Sequence, residues 1–466
     1  MRIILRMWYN FWMLTKILLL FFVFSFLFRA DLSFDQDLGR HLKLGEIIVK
    51  THDVPKVNLF SYTNPNFHFI NTHWLFEIIA YGFSQTIGLQ AFLILKVLIF
   101  LLSVWLILKI VPKDKTALLL PIGFIFLHVL RERLELRPEI FSFLFTSLTY
   151  FILEKYLKDK SKLIFLLPLI QLIWINTHIY FFIGLLLQVI FLIQKRQKIL
   201  GLIFILSILV SLINPNGLAG VLYPLNVFKN YGYTIVENQT MSLLESINFK
   251  DPNFLFVKLS LGTILLSFIR KKFNLKNVLI SLSGAILALM NVRSFPYLFF
   301  LSLPATLGNF GNLKPNNFTK TLTVLFAIII ILESFYNLKN EGGLKMGEHV
   351  KGAMDFVLAN NLPQPIFNNF DIGSYIIYKG YPKYKVFVDG RPEAYPKEFF
   401  LNTYIPMQSD YEKFKKEEQK WDFKTIIFSR TDQTPWGRNF LQNVVKDESW
   451  QIVYYDDFMV VLLKKK

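Results

Sequence analysis

The residues best suited to chemistry crowd into one stretch, residues 31–74, which carries Asp35, Asp37, Arg40, His41, Glu46, His52, His68 and His73 directly after the first apolar run. Asp35 and Asp37 flank Gln36. Such an Asp-x-Asp pair can ligate a divalent cation, Mg or Mn, through hard oxygen ligands, or one carboxylate can act as general base while the other orients it. The spacing alone is a weak signal, because solvated loops often carry two aspartates. Position adds weight, since carboxylates at a membrane interface cost free energy unless paired, and Arg40 and His41 offer partners.

Three arginines follow in Leu130-Arg131-Glu132-Arg133-Leu134-Glu135-Leu136-Arg137-Pro138-Glu139. Arg131 to Glu135 reads as a solvated turn with local salt bridges. Arg137 stands at the start of a span, where proline suits a first helical turn and a buried guanidinium suits a phosphate. Structural pairing with an acidic residue of the first loop is the competing reading for Arg137. Asn176 and His178 lie where two spans meet and can hydrogen-bond a sugar or a phosphate, although a lone histidine there is more often a satisfied interfacial residue. No second ligand stands at helical spacing, so no zinc site is expected there. Asn214-Pro215-Asn216-Gly217 reads as a helix stop. Asn291-Val292-Arg293 adds a further arginine, and Glu237 and Glu245 are acidic candidates with nothing else in support. Lys96, inside a span, must snorkel or face a cavity.

The elements that carry these residues are built for a bilayer. Hydrophobic residues make up 53 % of the chain, Phe alone numbers 49, and mean hydropathy is +0.41, outside the range of soluble globular chains. Hydropathy with charges as punctuation sets spans at 12–30, 91–111, 116–130, 139–157, 163–176, 178–194, 199–213, 254–269, 277–291, 295–309 and 320–337, about eleven in all. The first lacks a small-x-small cleavage site before Arg29-Ala30-Asp31 and reads as an uncleaved span. Cysteine is absent, which excludes disulfides and thiolate metal sites. The net charge of +18 falls in clusters between spans, a pattern of membrane topology rather than polyanion binding, so no nucleic-acid partner is expected.

With the amino terminus cytoplasmic, the basic clusters at Lys113 and Lys115, at Lys155 to Lys162, at Lys195 to Lys198, at Arg270 to Lys276 and at Lys314 and Lys320 all fall inside. The first loop, residues 131–139, 176–178, 214–252 and 291–294, and the tail after 337 then lie outside. Residues 74–88 read as an interfacial helix with Trp74 and Tyr81 at headgroup level. The expected location is therefore the plasma membrane, multi-pass, with an extracytoplasmic carboxy terminus. Short runs such as 116–130 also point to tilted or broken helices around a polar cavity.

Near Asn340 the composition changes, and Gly342-Gly343 makes a joint. The expected fold is an α-helical polytopic membrane protein, with a transmembrane domain at 1–337 that includes the first outer loop at 31–74, followed by a soluble α/β domain at 338–466. That tail should hold helices at 347–360 and 409–418, strands at 365–368, 385–388 and 424–429, a strand or helix at 373–378, and a hairpin of 450–455 with 458–463.

Carboxylates from the first loop and cations from several helix ends are thus expected on one membrane face. That suits an anionic lipid donor, whose departing phosphate the cations hold while a carboxylate deprotonates an acceptor hydroxyl. The chain resembles the polytopic glycosyltransferases of the C superfamily, which use polyprenyl-phosphate-linked sugars and include protein mannosyltransferases and aminoarabinose transferases. The resemblance is to uncharacterised bacterial members. It rests on Asp35-x-Asp37-x-x-x-His41, Arg137-Pro138-Glu139, Trp174-x-Asn176-x-His178, Asn214-Pro215-x-Gly217 and Asn291-x-Arg293. In the tail, Asn369-Phe370-Asp371-Ile372-Gly373-Ser374-Tyr375 with Val388-Asp389-Gly390-Arg391 is faintly similar to the Trp-Trp-Asp region of oligosaccharyltransferases; the paired tryptophans are missing, and a strand-turn-strand is the bland reading.

The resemblance implies a membrane glycosyltransferase that moves a sugar from a polyprenyl-phosphate donor to an acceptor not named by the sequence, at the outer face. Its catalytic carboxylates would be Asp35 and Asp37, with or without a divalent cation. Arg137 and Arg293 would hold phosphate, and Arg40, His41, Asn176 and His178 would give polar support. A transporter or flippase of lipid-linked glycans is the rival, and a catalytically lost family member is a third reading. A transporter should carry ionisable or broken-helix sites at the midplane in paired halves, and no such pairing is found in the sequence.

Overall fold

The computed structural model of the chain describes residues 2–226, 231–269, 274–310, 317–340 and 343–465, with side chains from Phe11 onward. Arg270, Lys271, Lys272 and Lys314 of the basic clusters, and Gly342 of the joint, lie outside the described residues. The chain is mostly helical, with one small sheet near its carboxy end. It divides into two compact units. The first comprises Met1–Ala30, Leu93–Gly217 and Ile235–Lys345, and the second Asp31–Phe92, Leu218–Thr234 and Met346–Lys466.

In the first unit the apolar runs fold as helices Arg2–Leu27, Leu89–Ile110, Thr116–His128, Glu139–Asp159, Leu167–Thr177, Phe182–Gln194, Lys198–Ser211, Asn253–Phe268, Leu275–Met290 and Asn317–Asn340. Run 295–309 folds instead as a π turn, Leu298–Ser302, followed by helix Leu303–Asn309. Among the described residues three helices are long and apolar enough to cross a membrane: Leu89–Ile110, Glu139–Asp159 and Asn317–Asn340. Six further apolar helices are shorter. Helix Thr116–His128 contains Pro121, which lacks the N–H that an unbroken helix needs. Helix Asn317–Asn340 leaves Leu325, Ile328, Leu332 and Phe335 between 50 and 66 % exposed. So broad an apolar face has lipid, not water, as its solvent.

In the second unit helix Gly39–Thr51, from the first loop, packs side by side with helix Trp74–Thr86, which falls on the stretch 74–88. Their approach is so close that a methyl group at Gly45 would lie 2.1 Å from the Glu77 carbonyl oxygen, so only glycine fits. The sheet has order β1-β2-β4-β3, with β1 Ile366–Asn368, β2 Thr425–Ser429, β3 Trp450–Tyr455 and β4 Met459–Lys464. β1 runs parallel to β2, and the other neighbours are antiparallel. β2 is buried along its whole length, as a central strand covered on both faces must be, whereas edge strand β3 is largely open. Phe367, Phe414, Phe428 and Phe440 pack together beneath it.

The expected strand at 385–388 does not join this sheet. Val386 makes an isolated bridge with Ser61 instead, so that stretch pairs with the first loop. Residues 373–378 are helical, within Gly373–Gly380, which replaces strand-turn-strand by strand-turn-helix. Sequence reading also missed helix Pro435–Val444, although its start is well marked: Pro435 opens it, and the Thr434 hydroxyl oxygen accepts from Gly437 N–H.

Candidate functional site

In the second unit the two aspartates take different partners. The π turn Phe34–Leu38 leads directly into helix Gly39–Thr51. Asp35 is buried, and its carboxylate accepts from the backbone N–H groups of His349 (2.9 Å) and Val350 (3.4 Å), where helix Lys351–Ala359 begins. Unpaired N–H groups and the helix dipole both favour a carboxylate there. Burial pushes Asp35 up to about 6, against the pull of those two N–H groups. Asp37 accepts from the Arg40 guanidinium at 2.9 Å and keeps 19 % of its side chain exposed. The backbone of Gly390 passes close by: a methyl there would stand 3.0 Å from the Gln36 carbonyl and 3.7 Å from Asp37 Oδ1.

His41 Nδ1 meets Glu77 Oε1 at 3.0 Å, and Glu77 Oε2 accepts from the Asn71 side-chain amide at 2.7 Å. Burial pushes Glu77 up to about 7, while Asn71, Arg40 and Arg391 pull the other way. Its folded value lies above the ordinary one near 4.5. Glu77 therefore contributes stability that is fully present below about pH 4.5 and is lost as pH rises through about 7. Measured as melting temperature against pH, the advantage of wild type over Glu77→Gln is expected to fall across that window, by on the order of 3 kcal/mol in all. A constant difference from pH 4 to 8 would remove the assignment.

The tail motifs are built into the same unit. Arg391, 1 % exposed, grips Asp389 through Nε and one terminal nitrogen at 2.7 and 2.8 Å, and that terminal nitrogen also donates to Asn58 Oδ1 at 3.0 Å. The Arg40 backbone N–H donates to the Ser374 hydroxyl at 2.8 Å. Asp371 is pushed up to about 7 by burial, with Asp432 and Asp37 adding like charge.

In the first unit Glu237 is the hub. Its carboxylate accepts from Arg133 (2.5 Å), Arg137 (3.1 Å) and Arg293 (3.0 Å), and Arg133 also grips Glu139. Burial works to raise Glu237, but the three guanidiniums reverse this and hold it well below the usual carboxylate range. Arg133, Arg137 and Arg293 thus share one carboxylate, and Arg133 is shared with a second. Arg133 is 4 % exposed, so the solvated-turn reading fails for it: facing Glu139 and Glu237, it is a buried ion-pair residue. Arg131 meets Glu333 and Asn337 instead. His178 Nδ1 shares a hydrogen bond with Ser142 Oγ at 2.7 Å, and that oxygen also accepts from Trp174 Nε1 at 2.7 Å. Asn176 donates to the Leu172 and Ile213 carbonyls, and Asn214 caps its helix through the Ser211 and Gly217 carbonyls. Lys96 is buried within Leu89–Ile110.

Arg137 and Arg293 thus come together on one carboxylate, and Asp37 and Arg40 on another contact. His178, Asn176, His41 and Asp35 each have their own partners. The hub Glu237 had only its place in an outer loop to mark it, whereas Glu77 is detectable as the one acid in the apolar helix Trp74–Thr86. As placed, the Asp-x-Asp pair does not fit a resident divalent cation. Asp35 faces backbone N–H donors and Asp37 a guanidinium, and no cluster of three or more His, Asp or Glu suited to a metal occurs among the described residues.

No family model matches the sequence, and no curated protein does. Solved structures do match in fold. The archaeal oligosaccharyltransferase AglB from Archaeoglobus fulgidus, solved with an inhibitory peptide and a dolichol-phosphate, superposes with a TM-score of 0.61 at 10 % identity, over 91 % of this chain and 69 % of that one. ArnT from Cupriavidus metallidurans, bound to undecaprenyl phosphate, gives 0.52 at 10 % identity, over 98 % of this chain and 97 % of that one. The chain has a glycosyltransferase-C-like fold, that of an integral, polytopic membrane protein.

Proposed function

We propose that the chain is a membrane glycosyltransferase that moves a sugar from a polyprenyl-phosphate donor to an acceptor at the extracytoplasmic face of the plasma membrane, with about eleven membrane-crossing segments. The observation that carries this reading is the set of three arginines on Glu237, in a fold whose solved neighbours hold dolichol-phosphate and undecaprenyl phosphate. Guanidiniums match phosphate oxygens in geometry and charge. Arg137 and Arg293 are assigned to the donor phosphate, with His178 and Asn176 as polar support.

Asp37 is assigned as general base. Its carboxylate takes the proton of the acceptor hydroxyl as that oxygen attacks sugar C1, and the C1–O bond breaks with its electron pair leaving on the phosphate. Arg40 holds Asp37 in place, His41 orients through Glu77, and Asp35 is a positioning residue that fixes the loop to residues 349 and 350.

The test is sugar release from a panel of radiolabelled polyprenyl-phosphate sugars by the purified chain. Arg137→Ala and Arg293→Ala are each expected to lower kcat/KM by about 10²-fold, the cost of removing one donor to developing charge. Turnover of no lipid in the panel, with lipid binding intact, would sink the enzymatic reading.

A further inference from the structure

Three helices and one short turn in the first unit carry lysine close to tryptophan or to another lysine. Lys16 follows Trp12 by one turn in Arg2–Leu27, Lys109 follows Trp105 by one turn in Leu89–Ile110, and Lys113 starts the short turn Lys113–Lys115. Helix Glu139–Asp159 ends with Lys155 and Lys158. Spacing of three or four puts each pair on one helix face.

These ends surround an open cavity of about 680 Å³, lined by Trp12, Lys109, Lys113, Lys155 and Lys158. Two carboxylates also line it, and one of them, Glu154, is already paired with Lys276. Behind Trp12 lies Lys16, fully buried, with its Nζ 3.6 Å from the Trp12 ring centre and no hydrogen-bond partner among the described residues. Lys113 stands 5.2 Å from the same ring, and Lys109 stands 5.2 Å from Trp105. An ammonium removed from water without an acceptor is costly, and the face of an indole offsets only part of that cost. Four lysines therefore line the cavity against two carboxylates, one of them already paired, and the cavity is bordered by the aromatic residue type favoured at headgroup depth.

We propose that this cavity binds a phosphate-bearing anion, the headgroup of an anionic membrane lipid being the form its surroundings favour. The lysines meet the phosphate as point charges, the tryptophan flanks the glycerol, and the neighbouring helices take the acyl chains. Lysine-rich helix ends belong on the cytoplasmic side, so this is a second lipid site, separate in the first unit from the arginines on Glu237.

The test uses the full chain in detergent, with native mass spectrometry and melting temperature read against added dioleoyl phosphatidylglycerol, dioleoyl phosphatidylcholine and inorganic phosphate. Phosphatidylglycerol is expected to bind and to raise the melting temperature, and the triple variant Lys109→Gln, Lys155→Gln, Lys158→Gln to weaken it about tenfold or more. The corresponding triple arginine variant should retain binding. Lysine-dependent binding of inorganic phosphate with no added effect of the lipid would keep the phosphate assignment and give it to a free anion. Equal binding of both lipids, or unchanged phosphatidylglycerol binding in the glutamine variant, overturns the proposal. Lys16→Met separates the amine from packing: without lipid it should melt higher, because a buried amine without a hydrogen-bond acceptor among the described residues is gone, yet bind phosphatidylglycerol several-fold more weakly. A lower melting temperature with unchanged lipid binding would remove Lys16 from the site.

Discussion

Asp37→Asn is expected to lower sugar transfer by about 10²–10⁴-fold, the usual worth of a positioned base, with the melting temperature nearly unchanged. The amide keeps the size of the side chain and still offers an oxygen to Arg40, 2.9 Å away, but it cannot take a proton from the acceptor. Asp35→Asn should behave in the opposite way. Its two oxygens accept from the N–H groups of residues 349 and 350, so an amide nitrogen in either place leaves a buried donor facing a donor. That substitution is expected to cost about 1–3 kcal/mol of stability while part of the turnover survives. Matched preparations, assayed for release from the active polyprenyl-phosphate sugar and for melting, read both quantities. Full turnover in Asp37→Asn together with loss in a normally melting Asp35→Asn would exchange the two roles. Full turnover in both would take the loop out of the chemistry.

Apart from run 295–309, the helices of the first unit were legible because the apolar runs end where charges, Pro or Gly end them, and hydropathy needs no knowledge of partners. Helix Glu139–Asp159, for example, was expected at 139–157. The strands that pair within the tail were legible by the same local logic, down to the hairpin of β3 and β4. What failed depended on distant partners. Residues 385–388 have strand composition, yet Val386 bridges Ser61, more than 300 positions earlier in the chain. Arg133 looks like its solvated neighbours until Glu237, about 100 residues on, is placed against it. The same holds for His41, whose partner Glu77 arrives on a separate helix. The grouping of the first loop with the tail in one compact unit was hidden for the same reason: Asn58 and Arg391, or Arg40 and Ser374, share no local pattern.

That grouping makes Arg391→Ala the largest stability loss expected in the second unit. Arg391 and Asp389 are 1 and 0 % exposed at their side chains, and the guanidinium carbon lies 5.0 and 5.1 Å from the rings of Phe60 and Phe69. Removing the arginine leaves Asp389 as a buried carboxylate with the Tyr395 hydroxyl, at 2.9 Å, as its remaining donor of those that contact it through Arg391 and Tyr395. Breaking a buried pair from one side typically costs about 3–5 kcal/mol, far more than the net worth of the pair, because the surviving charge has no solvent. Arg391→Lys should recover only part of this, since an ammonium cannot make two parallel bonds to Asp389 and a third to Asn58 at once. The loss should appear as a lower melting temperature and as earlier protease cleavage within residues 52–73, where Asn58, Phe60 and Phe69 lose their common partner. A double substitution, Asp389→Asn with Arg391→Met, removes both charges at nearly constant volume and should restore most of the stability. If it is as unstable as Arg391→Ala, the loss comes from packing or from Asn58 and not from the stranded carboxylate. If Arg391→Ala itself melts like wild type, the motif is not the clamp that joins the first loop to the tail.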